Sequence, residues 1–139
     1  MKFTFDPSSR LIRVRVELSG VYGKHEAWFA LDTASTRTCV SVLTLRRMGI
    51  DTRGIAQKGK AHGVTMDGSF GMIPLLRLKA IGETWDNPTV AFIELNAASK
   101  IHGLLGLDFL RGRILTVDFR RGTVSLKQPS PWRFWRRLR

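Results

Sequence analysis

A mostly β fold, a compact barrel or sandwich with one or two short helices and a basic tail, is what this sequence predicts. Three observations point there. Apolar residues alternate with a period of two over residues 11–18, short apolar runs recur between glycine and polar clusters, and only one segment combines helical spacing with a cap.

Taken in order, Ile12, Val14, Val16 and Leu18 fall on one face of the first strand, with Arg13, Arg15 and Glu17 on the other. Glycines at 20 and 23 punctuate the chain before HEAWFAL, residues 25–31, which reads as a second strand in a hairpin or meander. Ser41 is placed to cap a helix over residues 42–48. Val42, Leu45 and Met48 share a face there, and Gly49 terminates it. Residues 57–80 are strand-like but rich in glycine, which predicts one long hairpin with a mobile tip. PTVAFIEL, residues 88–95, is another strand, and residues 108–111 form a second helical turn with Asp108 near the positive end of its dipole. Residues 114–119 and 123–127 make the clearest hairpin, turning at Arg120-Arg121-Gly122. Prolines 129 and 131 end the last strand.

The 139 residues amount to one domain, and 43% apolar against 24% charged residues is the balance of a globular core rather than a disordered chain. The expected division is a domain over 1–128 and a basic, aromatic tail over 129–139. No run approaches the roughly 20 apolar residues of a membrane-spanning helix. The opening MKFTFDPSSR lacks a signal-peptide core, which predicts a cytoplasmic protein. The lone Cys39 makes no intrachain disulfide, reads as buried and inert, and supplies no zinc cluster. His25, His62 and His102 stand at no metal-ligand spacing, so no metal or other cofactor is expected. A net charge of +12 attracts anions: nucleic acid, acidic lipid, or an acidic partner or substrate. Four of those charges sit in the tail as Arg133, Arg136, Arg137 and Arg139, interleaved with Trp132, Phe134 and Trp135. Such a tail reads first as a solvated terminal extension whose aromatics pack on the body or on a partner, with an anionic membrane surface or single-stranded nucleic acid as the alternative.

Two segments carry chemistry. In WFALDTAS, residues 28–35, an apolar strand delivers Asp32 into a turn of small and hydroxylic residues. Burying that carboxylate costs several kcal/mol unless it is compensated, so it is either a turn former or functional. In IHGLLGLDFL, residues 101–110, Gly103 and Gly106 interrupt an apolar run, marking either a plain buried strand or a close approach by another backbone.

Together, about seventy positions apart, these segments resemble the retropepsin-like aspartic proteases over residues 11–127. Asp32, Thr33, Ala34 and Ser35 match the family's active-site loop, and Leu105, Gly106 and Asp108 match the segment that supports it from below. Residues 61–63, Ala-His-Gly, resemble the start of its flap, which puts His62, Gly63, Val64, Thr65, Met66 and Gly68 against substrate. The resemblance implies a closed barrel and a homodimer that hydrolyses peptides or proteins as an aspartic endopeptidase. Its two symmetry-related Asp32 side chains would share one proton and activate a water. Thr33 would brace the pair, and Arg37 is placed to pair with Asp108. Ala34 departs from the family's usual glycine. That departure fits a second reading, a catalytically silent module that binds a peptide or partner. A third reading, a basic barrel that binds nucleic acid, lacks the alternating exposed aromatics that stacking requires.

Overall fold

The computed structural model describes residues 1–62 and 67–130. Its longest ladder is the antiparallel hairpin of β2 (Arg13–Gly20) and β3 (Gly23–Leu31), with Val14 opposite Phe29 and Val16 opposite Ala27. The period of two does what it predicted. Val14, Val16, Leu18, Ala27 and Phe29 are buried, each large apolar side chain contributing about 1.5–3 kcal/mol. On the outer face Arg13 and Arg15 stack over the Trp28 ring, at 5.6 and 5.2 Å.

After β3 a loop leads to β4 (Cys39–Ser41), which runs directly into α1 (Val42–Arg47). Ser41 caps that helix as expected, its hydroxyl accepting the Thr44 N–H at 3.1 Å. The helix buries Thr44 and Leu45, and Gly49 follows its end with φ of 81°. Next come β5 (Gly59–His62), β6 (Asp67–Pro74), β7 (Arg77–Ala80), β8 (Glu83–Asp86) and β9 (Thr89–Ile93). They are followed by β10 (Gly103–Leu105), α2 (Leu107–Leu110) and a terminal hairpin of β11 (Ile114–Asp118) and β12 (Thr123–Lys127). A two-residue β1 (Phe3–Thr4) pairs with β12.

The pairing order is β5-β6-β9-β4-β10-β3-β2-β7-β8 in one sheet and β1-β12-β11 in another. The fold is therefore mostly β with two short helices. Among the described residues its ladders run in an open order and do not close the barrel that the resemblance implied. The expected long hairpin over 57–80 is shorter than foreseen. β5 and β6 form it, but the chain turns at Leu75 and Leu76, and β7 leaves to pair with β2. The reason is local: Leu75 N–H goes to Pro88 O and Leu76 N–H to Ser19 O, which redirects the chain. No helix among the described residues is long and apolar enough to cross a membrane.

Two apolar clusters pack on this framework. The larger joins Val16, Phe29, Val40, Leu45, Leu78, Val90, Leu105 and Phe109 with their neighbours, and the smaller joins Ala30, Cys39, Ala91, Ile93 and Leu104.

Candidate active site

The loop over residues 32–38 connects β3 to β4, and those two strands are not hydrogen-bonded to each other. β10 lies between them, parallel to β3 and antiparallel to β4, so the segment over 103–106 threads beneath the loop. Asp32 opens the loop. Its N–H donates to Leu105 O at 3.0 Å, and one of its carboxylate oxygens accepts the Ala34 N–H at 2.9 Å. Asp32 is half-buried, while Thr33 and Ala34 are exposed. Ser35 turns inward: its carbonyl accepts the Leu107 N–H at 2.8 Å and its hydroxyl donates to Arg37 O at 2.7 Å.

Gly106 is a glycine for a geometric reason. A β-carbon there would stand 2.6 Å from the carbonyl carbon and oxygen of Arg37 and 2.9 Å from Ser35 O. Gly103 is equally confined, its β-carbon falling 2.4 Å from Cys39 O. Gly106 lets the loop rest on the start of α2, and Gly103 lets β10 pack closely between β4 and the Phe29 ring.

Beneath the loop a polar knot holds the two segments together. Thr38, wholly buried, donates its hydroxyl to Asp108 Oδ1 at 2.6 Å and accepts the Gly106 N–H at 3.1 Å. The Thr38 N–H reaches both Asp108 oxygens, at 2.8 and 2.9 Å, and the Phe109 N–H donates to Oδ1 at 2.8 Å. The tie from loop to helix expected of Arg37 is made by Thr38 instead, since the Asp108 carboxylate is taken up by Thr38 and by its own helix. Sequence reasoning missed Thr38. A threonine at the junction of the loop and an apolar strand was its only signal in the sequence.

Cys39 follows directly and is buried. Burial, then the Asp108 charge, and more weakly that of Asp32, push its thiol up to about 12, so it stays protonated and unreactive near neutral pH. At the far end of β10, His102 N–H donates to Trp28 O at 2.7 Å, and its Nδ1 accepts the Trp28 N–H at 3.0 Å. Burial, with Arg47 and His25 nearby, holds this imidazole below its usual range. Among the described residues no group of three His, Cys, Asp or Glu side chains is placed to hold a metal.

Asp32, Thr33, Ala34, Ser35, Leu105, Gly106 and Asp108 thus come together at one crossing of strands. Of the expected flap, the backbones of His62 and Gly68 belong to the β5/β6 hairpin, with His62 opposite Asp67, while residues 63–66 lie outside the described residues. So do tail residues 131–139.

A strand-borne Asp-Thr loop seated on a glycine-interrupted central strand defines a fold of the aspartic-protease class. The chain belongs to the aspartyl protease family, whose sequence model matches residues 14–109. No curated protein sequence matches it significantly. Solved structures share the retropepsin-like fold at low identity. One is a retropepsin-like aspartic protease from Rickettsia conorii (14% identity, TM-score 0.69, covering 92% of this chain and 89% of that one). Another is EIAV protease complexed with the inhibitor HBY-793 (16%, TM-score 0.56, 78% and 92%). A third is the retroviral protease-like domain of Ddi1 from Leishmania major (17%, TM-score 0.54, 86% and 95%).

Proposed function

We propose that the protein is a homodimeric aspartic endopeptidase whose catalytic group is the pair of Asp32 carboxylates from two copies. The observation that supports this best is the two-sided build of the 32–38 loop. Its underside is anchored by its own chain through Asp32 N–H, Ser35 and Thr38, while Thr33 and Ala34 are left exposed. A two-fold axis passing this exposed side sets each residue opposite its own copy.

Two carboxylates at such a separation share one proton. The ionised one takes a proton from a water, whose oxygen bonds to the peptide carbonyl carbon. The protonated one donates to the carbonyl oxygen. Collapse of the tetrahedral intermediate then breaks the C–N bond, with a proton passing to the leaving amine. Thr33 braces the pair, and the β5/β6 hairpin closes over an extended peptide and excludes water.

Ala34 is compatible with this chemistry. Its N–H holds an Asp32 oxygen at 2.9 Å, and it is not among the described non-glycine residues with positive φ, which are Ile81, Asn87 and Lys100. The added methyl group therefore brings no backbone strain.

The test is turnover of a peptide library at mildly acidic pH by the full chain, with inhibition by a statine-type mimic. Asp32→Asn is expected to lower kcat by at least about 100-fold, the usual worth of a general acid or base. A folded dimer without turnover, even after Ala34→Gly, would instead favour the silent binding module.

A further inference from the structure

The exposed side of α1 borders three adjoining concavities of 470, 440 and 350 Å³, and Val42 and Arg46 line all three. The middle one reaches the second strand of the β5/β6 hairpin, where Gly68 and Ser69 line it together with Ile93 and Glu94. The 350 Å³ concavity adds Arg47, Lys100, Leu95 and Ile101. The groove adjoins the strand that the Asp32 loop feeds, since Val42 follows directly on β4 and Ile93 pairs with Ser41. Ile93 belongs to the apolar cluster that contains Cys39 and Leu104, and Leu95 and Ile101 pack against that cluster.

Its charge is one-sided. Arg53 is occupied, donating from Nε and from a terminal nitrogen to the Asp51 carboxylate, at 3.0 and 2.9 Å. Arg46, Arg47 and Lys100 enter no ion pair among the described residues, and Glu94 is the remaining carboxylate in the groove. Three unpaired cations against one anion leave a surplus that attracts a carboxylate.

We infer that this groove receives the flank of an extended substrate chain and that Arg46, supported by Arg47 and Lys100, selects for an acidic residue there. The inference rests on the peptidase reading for the location of the scissile bond. An acidic side chain is the complement of the surplus, and an extended strand is the shape that lies both under a hairpin and along a groove. Glu94 sets the limit of the preference by opposing the incoming charge.

The test uses the full chain and synthetic peptides in which a reduced amide replaces the scissile bond, with Glu or Gln scanned along both flanks. Binding is read by fluorescence anisotropy. At one flank position Glu is expected to bind about 5-fold more tightly than Gln, the worth of a well-placed exposed pair. That ratio falls toward one in Arg46→Gln, rises in Glu94→Gln, and shrinks in high salt. Equal affinities at every position, a ratio that survives Arg46→Gln, or no binding of either peptide would overturn the inference. Cleavage of the unmodified peptides is scored separately. Acid preference without turnover upholds the groove and removes the peptidase; turnover without acid preference does the reverse.

Discussion

The two ends of β10 are held in different ways. At the Leu105–Gly106 end, backbone groups of the 32–38 loop and the buried Thr38–Asp108 knot fix the strand from both sides. At the His102 end, the strand is pinned to Trp28 partly through an imidazole that is only half-buried. The first end carries Asp32, and close approach of backbones makes its geometry stiff. The second end is open to solvent and its bond depends on a proton. Asp32 therefore sits where no small rearrangement satisfies the same hydrogen bonds.

The sharpest way to break the stiff end is Gly106→Ala. The new β-carbon meets backbone atoms of Arg37 at 2.6 Å, and a backbone cannot swing aside as the end of a side chain can. The expected cost is about 3 kcal/mol, at the upper end of overpacking effects, read as a drop in the urea midpoint of the full chain. A loss below about 1 kcal/mol would show that the loop can lift off β10, and the claimed stiffness would be wrong.

Thr38→Val is the next largest. Valine keeps the shape but removes the hydroxyl, leaving the Gly106 N–H without its acceptor and Asp108 short of one donor. Such unsatisfied buried groups cost about 1–3 kcal/mol. Thr38→Ser retains the hydroxyl and loses one buried methyl, about 0.8 kcal/mol. Valine is therefore expected to be the more damaging change by chemical denaturation, although it is the closer match in volume. The reverse order would mean that packing, and not the polar knot, holds the loop.

Much of this contrast was readable from residue types alone. Period-two alternation located β2 because that strand buries one face, whereas β3, which buries the adjacent Phe29 and Ala30, was legible only as an apolar run after punctuating glycines. Asp32, Gly106 and Asp108 stood out as polar or glycine positions inside apolar runs. Thr38 did not, since threonine beginning an apolar strand is also an ordinary strand former. Its role depends on a partner seventy positions away. That the 57–80 stretch splits after Pro74 was equally hidden: β7 pairs with β2, a long-range choice that local composition does not encode. β1 is only two residues long, too short to show any period.

The open end of β10 yields the smallest and most specific effect. The folded protein holds the His102 imidazole below its ordinary value of 6.5, with burial first and the Arg47 and His25 charges after it. The unfolded chain then binds more protons near that pH than the folded one. Stability from this group is fully present above pH 6.5 and is lost as pH falls through 6.5 toward the lower folded value. Protonation also ends the bond from Trp28, because a charged Nδ1 has no lone pair to accept it. His102→Asn places a carbonyl oxygen near the position of Nδ1 and removes the titration. Denaturant midpoints measured from pH 7.5 to 5 should fall less steeply for this variant than for the parent, with the two converging above neutrality. Parallel profiles would place the acid sensitivity elsewhere. A steeper fall for the variant would mean that His102 gains rather than loses stability on protonation, and the contrast between the two ends of β10 would have to be withdrawn.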